Sequence, residues 1–441
     1  MINAWWLSRL FICVFGMLLA GCTQKPLADR SLTFWCSNNA GEIAFAKEFV
    51  QQWQQLRPNK PLRYQPIPEG QSSEEIILAS VVGKTTPDIY ANMWQGSVEM
   101  YAKAGVLIPL DTLKGFWEFI TARCDSAVIR EITSSDGHIY QVPWKVNPIM
   151  LVCNTHTISA LNGAKPPYTY AGYLDAGRQL SRDANGDGYV DQWLGYTEVK
   201  AIWYERLFNF YPLYLAASNG APLIAPDATG DLHAAFNNRY AVDVFRFLQT
   251  LYKANYFARE RLSATRDPFL AQRISTQFTG PWTVGFLEKF KDAGFDYDTY
   301  AMPVPNDHRG PVYTYGDPKN IVLFNTCRDP QAAWEFVKTL VDKPGDRRLM
   351  ELTGQFPRRK NVDTDSYFAS FLSKNPRLLP FARQTRYIKG VDNCEVIVDV
   401  FDIISQEYEA CVLFNKKTPE AAIRDAARAV DVLLTSERAN E

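Results

Sequence analysis

The most distinctive candidate for ligand chemistry is Gly280-Pro281-Trp282, in the middle of residues 269–305. The pattern of residues 269–278 predicts an amphipathic helix that leads into a short alternating strand over 274–278. Gly280 permits unusual backbone angles and Pro281 lacks an N–H donor, so the strand must end there. Trp282 then lies at the carboxyl end of a strand, where open α/β sheets bind ligands, just before a helix predicted over 284–291. Its indole is therefore either a core residue or a surface on which a flat ligand stacks.

An acidic loop over residues 183–194 could bind a cation. Its oxygen-bearing residues follow an EF-hand-like spacing, at positions 1, 3, 5 and 9, with a glycine at the turn position 6. These residues are Asp183, Asn185, Asp187 and Asp191, with the Tyr189 carbonyl as a further oxygen. Position 12 is Leu194, so the bidentate glutamate is absent and Asp191 would have to coordinate directly. The loop predicts a structural Ca²⁺ site, and a solvated turn is the alternative.

Catalytic signatures are scarce in this chain. Its four histidines are scattered, and it contains no HExxH, no GxSxG elbow and no GxxxxGK[ST] loop. Paired carboxylates for glycoside hydrolysis leave no mark in a sequence, because acidic residues are common and their separation is a property of the fold. The sequence therefore favours a protein without chemistry of its own, and a carbohydrate-active hydrolase is the alternative.

Length and charge narrow the class further. With 441 residues, the chain is too long for a single core, so two domains are expected. Lys plus Arg (47) nearly balance Asp plus Glu (48), which argues against a nucleic-acid partner. Aromatic residues make up 13% of the chain and include eleven tryptophans, a composition suited to binding flat ligands.

The first thirty residues have the pattern of an export signal. Arg9 precedes an apolar run over 10–19 that is too short to span a bilayer. Leu19-Ala20-Gly21-Cys22 resembles a bacterial lipobox, which implies a signal peptide over 1–21, lipidation of Cys22 and a polar tether over 22–30. An ordinary secretory signal is the alternative. Either way, we expect the rest of the chain outside the cytoplasm, facing the periplasm or the extracellular side. Thr23 is not the aspartate that often retains lipoproteins at the inner membrane, so the sequence does not decide between inner-membrane and outer-membrane anchoring.

Six cysteines follow the leader: Cys36, Cys124, Cys153, Cys327, Cys394 and Cys411. An even number in an exported chain permits disulfides, but the spacings contain no CxxC pattern, so no pairing is assigned. Some are expected to be buried thiols.

Strands and helices alternate along the rest of the chain. Strands are predicted at 32–36, 62–67 and 87–90, helices at 42–56 and 74–82, and a polar loop at 92–96. A helix over 98–104 closes at Gly105, and two further strand-like runs, 138–144 and 149–154, flank Asn147-Pro148. This alternation predicts an α/β fold with a mainly parallel sheet.

The order of these segments resembles the extracellular solute-binding proteins of family 1, the maltose-binding-like receptors of ABC importers. The resemblance is carried by residues 87–90 with 102–111, by 142–154, by 269–282, by 329–340 with 354–359, and by 418–434. It implies a type II periplasmic-binding-protein fold with two lobes, joined by about three crossing segments and closing over a ligand by hinge motion. Lobe one would comprise 31–145 plus 314–358, and lobe two 150–310 plus 365–435.

The resemblance also implies a ligand cleft between the lobes, lined by aromatic rings that stack on sugars and polar groups that bind hydroxyls. The candidates are Trp35, Asn39, Glu42, Trp94, Trp144, Trp203, Tyr204, Trp282, Tyr315, Asp317 and Arg358. The implied function is capture of a sugar or oligosaccharide by a monomer that delivers it to the permease and ATPase subunits of an ABC importer. Glycerol phosphate or another charged solute is the alternative, for which a basic cleft around Arg358 and Lys145 would be expected.

Overall fold

The computed structural model describes residues 31–439, except 70, 162–166, 198, 201, 260–261 and 263–265. The predicted signal peptide (1–21), the lipidation site Cys22 and the tether (22–30) lie outside the described residues.

The larger of the two main sheets has six strands in the order β12-β4-β11-β3-β1-β2. Their bounds are β1 Leu32–Ser37, β2 Leu62–Ile67, β3 Ile89–Trp94, β4 Gln141–Val146, β11 Lys319–Leu323 and β12 Phe356–Pro357. Strand β1 runs parallel to β2 and β3, whereas β11 is antiparallel to β3 and β4, and β12 is antiparallel to β4. The prediction of a mainly parallel sheet is therefore wrong: the late strands return to this sheet from the other lobe and enter it in the opposite direction.

The second main sheet is antiparallel, with β5 in the centre. It is formed by β5 Met150–Asn154, β8 Thr276–Thr279 and β9 Tyr297–Tyr300, in the order β8-β5-β9. Two short pairs complete the described strands: β6 Ile224–Pro226 with β7 Leu232–Ala234, and β10 Thr314–Tyr315 with β13 Ile388–Lys389.

Helices pack around both sheets. The first illustrates why they form: the Asn39 side chain accepts from the Glu42 N–H as an N-cap, and Phe45, Phe49 and Trp53 recur on one buried face. The helices span Ala40–Leu56, Gln71–Val82, Gln95–Lys103, Phe116–Arg123, Ser126–Glu131, Thr155–Ser159, Tyr170–Leu180, Trp203–Arg206, Phe210–Ser218, Arg239–Lys253, Trp282–Phe290, Pro330–Val341, Lys343–Thr353, Ser366–Lys374, Leu379–Gln384, Ile397–Tyr408 and Pro419–Ala439. Within the described ranges, none is both long and apolar enough to cross a bilayer.

The chain passes between the two lobes three times: after β4, between β9 and β11, and after β12. The first two passages lie side by side, since Asn147 N donates to Gly316 O at 2.6 Å and Ile149 N donates to Tyr315 O at 3.0 Å. Gly316 N also donates to Lys389 O at 2.9 Å. A short hydrogen-bonded ladder therefore joins the two lobes. The exact lobe boundaries, 31–145 plus 314–358 and 150–310 plus 365–435, stay a prediction.

Local structure differs from the sequence prediction at the two main tryptophans. Residues 268–272 form turns rather than a helix, and the helix predicted from 284 already begins at Trp282. The loop predicted over 92–96 is absent, because β3 continues to Trp94 and the next helix begins at Gln95. Both tryptophans therefore lie at junctions of regular elements, which hold their rings more firmly than a loop would.

The six described cysteines are all buried free thiols. Their burial places them among the core side chains of both lobes, such as Cys36 within β1 and Cys411 near the carboxyl terminus. Within the described residues, their contribution to stability is therefore apolar packing.

Candidate functional site

A cavity of about 610 Å³ lies between the two lobes. Lobe two supplies mainly rings, from Trp203, Tyr204, Phe208 and Trp282, and lobe one supplies mainly polar groups. The full lining is Glu69, Ser73, Glu74, Asn92, Trp94, Lys145, Asn147, Trp203, Tyr204, Leu207, Phe208, Trp282, Asp317, Lys319 and Gln355. A ligand in this position contacts both lobes, which is the condition for binding to favour closure.

Trp94 and Trp203 meet across the cavity. Their ring centroids lie 4.9 Å apart with 39° between the planes. Trp94 is the last residue of β3, and its Nε1 donates to the Tyr315 hydroxyl at 3.0 Å. That hydroxyl in turn donates to Asp317 Oδ1 at 3.3 Å, within the second crossing segment. The second crossing segment therefore fixes the position of the Trp94 indole through Tyr315.

Trp282 is the most exposed ring of the cavity, with 44% of its surface accessible. Its indole folds back over Gly280, where an added Cβ would lie 2.1 Å from the ring. Phe208 meets it edge to face at a centroid distance of 6.1 Å. Trp94 has a similar relationship with Gly96, where a Cβ would lie 2.3 Å from its ring. In both cases a glycine two residues away provides the space for a cavity tryptophan.

Strand register places the charged groups of lobe one in one row. Lys319 on β11 is paired with Trp94 on one side and with Lys145 on the other. Lys319 Nζ lies 3.1 Å from Asp317 Oδ1, and Lys145 Nζ donates to the buried Glu42 carboxylate. Each lysine of the cavity therefore has a carboxylate partner, and neither is an uncompensated charge.

Two further carboxylates line the cavity in different protonation environments. Burial opposes ionisation of Glu69, but the charge of Lys145 and hydrogen bonds from Ser37, Asn39 and Asn92 outweigh it, so the pKa of Glu69 lies below its usual value. Burial raises the pKa of Glu74, although the Ser97 hydroxyl donates to it at 2.6 Å. Glu69 is therefore an anionic acceptor, whereas Glu74 takes up a proton more readily.

Two lining amides carry buried oxygens that lack a hydrogen-bond partner. They are the side-chain oxygens of Asn92 and Asn147. Asn92 has a φ of 100°, a left-handed conformation that asparagine tolerates better than most residues. An unpaired buried oxygen costs free energy unless a ligand supplies a donor, so both groups are suited to receive hydroxyls.

Of the predicted ligand-binding residues, Trp94, Trp203, Tyr204, Trp282 and Asp317 line the cavity. Three others support it from behind: Tyr315 holds Trp94, Asn39 donates to Glu69 at 2.9 Å, and Glu42 binds Lys145. These positions are compatible with the predicted roles, which stay predictions.

The remaining three candidates lie elsewhere, which corrects their predicted placement at the cleft. Trp144 is buried in the core of lobe one, with its ring centroid 6.1 Å from that of Phe45, because β4 is covered on both faces. Trp35 packs on a core cluster of the same lobe. Arg358 is also buried, with Nη2 2.7 Å from Glu131 and Nη1 donating to Gln95 at 3.0 Å.

Sequence reasoning missed most of the polar lining. The missed residues are Glu69, Ser73, Glu74, Asn92, Lys319 and Gln355, with Leu207 and Phe208 on the apolar side; Asn147 was a candidate at the crossing, and Lys145 was considered only for a charged ligand. A signal existed for Glu69, which follows the carboxyl end of β2, the edge at which ligands bind. Lys319 carries no such signal, because only the register of β11 brings it beside Trp94.

A larger cavity of about 750 Å³ lies at another lobe junction, near the carboxyl-terminal helix. Its lining contains no aromatic residue and several charged ones, among them Glu99, Asp231 and Glu395. Lys103 and Arg438 neutralise part of this charge through ion pairs with Glu395 and Asp231. It lacks the aromatic rings of the first cavity, although Glu99 Oε2 and Ser134 Oγ in its lining are also buried without a hydrogen-bond partner.

The acidic loop is exposed and closed by its own hydrogen bonds. Asp183 accepts from Gly186 N at 2.6 Å and from Gly188 N at 2.7 Å, which lowers the pKa of its carboxyl. Asp191 accepts from Ala184 N at 3.0 Å, and no group of three or more potential metal ligands occurs in the described part of the chain. The Ca²⁺ site predicted for this loop therefore stays a prediction.

Comparison with known proteins identifies the family. Residues 61–378, well over half of the chain, match the family described as bacterial extracellular solute-binding protein. The chain belongs to this family. Membership confirms the resemblance inferred from the sequence and establishes a solute-binding protein of the ABC-transporter type, acting in the periplasm or outside the cell. The family is described as one of binding proteins.

Solved structures share the fold over nearly the whole chain. An uncharacterised protein from Listeria monocytogenes EGD-e is 26% identical, with a TM-score of 0.77 over 92% of this chain and 100% of its own. The cyclic alpha-maltosyl-1,6-maltose binding protein from Arthrobacter globiformis is 19% identical, with a TM-score of 0.74 over 92% and 99% of the two chains. The sugar-binding protein from Xanthomonas citri is 17% identical, with a TM-score of 0.73 over 92% and 98%. These matches confirm the two-lobed solute-binding fold.

Sequence relatives cover less of the chain. A binding protein of Brucella abortus (strain 2308) is 24% identical over 181 residues, which are 40% of this chain and 41% of that protein. The chain thus spans about two fifths of the length of the curated relatives it matches.

Proposed function

We propose that this solute-binding protein captures a neutral sugar or oligosaccharide between its lobes and delivers it to the permease of an ABC importer. The observation that carries the proposal is the composition of the interlobe cavity. Aromatic rings from lobe two face polar groups from lobe one, and two buried amide oxygens have no partner. A sugar can stack its apolar C–H faces on the rings and direct its hydroxyls to the polar groups. Ligand sites in general combine apolar walls with a few polar groups in this way.

Charge pairing supports a neutral ligand over glycerol phosphate. A phosphate requires an available cation, whereas Lys145 is bound to Glu42 and Lys319 to Asp317. Arg358, the other cation considered, is buried against Glu131 outside the cavity. The names of two structural neighbours, which bind a cyclic maltosyl-maltose and a sugar, agree with this choice.

The same cavity supplies the test that separates binding from hydrolysis. Glu69, Glu74 and Asp317 line it, but Glu69 is held by Ser37 and Asn39, Glu74 by Ser97, and Asp317 by Lys319. A binding protein returns its oligosaccharide unchanged. Chromatography of a bound sugar after prolonged incubation is expected to recover the intact compound, and cleavage products would favour the hydrolase instead.

We also propose that Cys22 carries a lipid anchor. The support is the sequence Leu19-Ala20-Gly21-Cys22 after an apolar run. Metabolic labelling with a radioactive fatty acid should mark the wild-type protein and not a Cys22→Ala variant. Equal labelling of both would refute the anchor and leave the binding function untouched.

Titration calorimetry tests the main proposal directly. The mature chain is titrated with maltodextrins, cellodextrins and monosaccharides, and with glycerol phosphate as the charged competitor. We expect the wild type to bind at least one neutral series. Trp282→Ala should lower the affinity for that series by at least about thirtyfold, as expected for an aromatic residue in a binding hot spot. Binding of glycerol phosphate alone would overturn the proposal.

A further inference from the structure

Three aromatic rings stand exposed on one face of the helix Trp282–Phe290. Trp282, Phe286 and Phe290 are 44%, 42% and 51% accessible. Successive members are four residues apart, so they lie on one face and rise by about 6 Å from one to the next. The Phe286 and Phe290 ring centroids are 5.1 Å apart. We call Trp282, Phe286 and Phe290 the aromatic row.

The aromatic row is not needed to hold the helix in place. The opposite face of the helix does that through the buried side chains of Val284 and Leu287. Exposed large rings in a line are uncommon on a surface that serves no contact. The row also begins inside the interlobe cavity, because Trp282 lines it. A ligand stacked on Trp282 and extending outward along the helix would meet Phe286 next.

We infer that Phe286 and Phe290 extend the Trp282 platform beyond the cavity and bind additional pyranose units. The ligand class is then an oligosaccharide longer than the cavity alone holds. This inference rests on the proposed function, since it assigns the length of the ligand that the same site takes.

The surroundings of the aromatic row favour a glycan over a protein partner. The row is one side chain wide and lies among charged neighbours, whereas the centres of protein interfaces are broad and depleted of charge. Lys289 Nζ lies 5.0 Å from the Phe290 ring centroid, where it can donate to sugar hydroxyls. Glu288 is turned to Tyr297, whose hydroxyl donates to it at 2.9 Å. A narrow apolar strip with a polar edge matches a linear sugar chain.

The test compares short and long members of each glycan series that the wild-type chain binds, for example maltotriose and maltoheptaose. In the double variant Phe286→Ala/Phe290→Ala we expect unchanged affinity for the trisaccharide and a loss of about tenfold for the heptasaccharide. Phe414→Ala, which removes another exposed ring (58% accessible), is the matched control and should leave both affinities unchanged. Trp282→Ala should weaken both sugars.

The outcomes separate this inference from the proposed function. Wild-type affinity of the double variant for both sugars would overturn the inference alone. If that variant then failed to support sugar uptake in cells, the row would be a contact surface for the permease instead. Equal weakening of short and long sugars would also overturn it, because the rings would belong to the cavity itself. Binding of no neutral sugar by the wild type would overturn the proposed function and the inference with it.

Discussion

The indole of Trp282 covers Gly280 so closely that a Cβ on residue 280 would lie 2.1 Å from its ring. Gly280→Ala must therefore displace the ring, because carbon atoms without a bond between them do not approach to this distance. We expect the variant to lose most of the sugar affinity that Trp282→Ala loses, although residue 280 is not itself a lining residue. Calorimetric titration with the best sugar measures the effect.

The same helix offers a control for Gly280→Ala. Gly285 has no atom within 4 Å of the position where its Cβ would lie. Gly285→Ala should keep wild-type affinity and stabilise the helix slightly, by about 0.5–1 kcal/mol, since alanine loses less backbone entropy. Wild-type affinity in Gly280→Ala would show that the ring can move without consequence and that Trp282 does not position the ligand.

The ion pair between Lys145 and Glu42 predicts a large loss of stability when it is broken on one side. Both side chains are at most 2% accessible. Lys145→Met leaves the Glu42 carboxylate buried without its cation, which costs about 3–5 kcal/mol. Urea denaturation should show this loss, and adding Glu42→Gln should restore much of it by removing the stranded charge.

An exposed ion pair serves as the comparison. Arg239 and Asp307 are 3.3 Å apart and more than half accessible, so Arg239→Met should change the urea midpoint little. Equal effects of Lys145→Met and Arg239→Met would mean that burial does not govern the strength of these pairs.

Asp392 predicts a pH-dependent difference in stability. Burial, together with the nearby charge of Glu131, raises the pKa of Asp392 to about 6, while its Oδ2 accepts from Leu223 N and Ile224 N. In the unfolded chain the pKa is about 3.9, so between pH 4 and 6 the folded state holds the proton more tightly. The wild type should therefore lose stability relative to Asp392→Asn as the pH rises through this window.

The melting temperature of Asp392→Asn minus that of the wild type should thus increase from pH 4 to 6 and level off above pH 7. For Asp329 we expect the opposite dependence of stability on pH, because the hydrogen bond from Lys60 lowers the pKa of its carboxyl. Asp329→Asn should become more destabilising relative to the wild type as the pH rises. A pH-independent difference for Asp392→Asn would contradict the raised pKa.

The acidic loop predicts a weak response to Ca²⁺. With carboxylates and an amide but no bidentate glutamate, we expect a dissociation constant of about 10⁻⁴–10⁻³ M, and millimolar Ca²⁺ should raise the melting temperature. Asp191→Asn keeps the acceptor for Ala184 N and removes one charge, so it should abolish the shift. Asp227→Asn, in another turn closed by its own hydrogen bonds, should retain it. No shift in the wild type would support the solvated turn.

The order of elements was predictable because hydrophobic periodicity and turn residues are local. Strands β1 and β2 and the helix Ala40–Leu56 lie close to where the pattern indicates. Strand direction was not predictable, since β11 joins the larger sheet from more than two hundred residues beyond β3. The turns at 268–272 also escaped prediction: an apolar stripe favours a helix, but here Phe269 and Leu270 insert into the core from a turn.

The candidate site divides in the same way. Trp94 and Trp282 could be found because each accompanies a strand end and a glycine, which are marks in the sequence. Trp144 follows a proline, as Trp282 does, yet the sheet buries it on both faces, and coverage of a strand by distant helices leaves no local mark. Lys319 and Gln355 reach the cavity through tertiary contacts alone, so their roles follow only from the structure.

The burial of all six described thiols has a practical consequence for measuring lobe closure. Burial raises the pKa of Cys36 and Cys327 to about 12 and that of Cys394 and Cys411 to about 11. Since the thiolate is the reactive form, these native cysteines are poor targets for maleimides. A cysteine introduced on the surface of each lobe could be labelled selectively without replacing them. A pair of fluorescent dyes, one on each lobe, would then report the opening and closing of the protein in solution in the presence of each sugar tested.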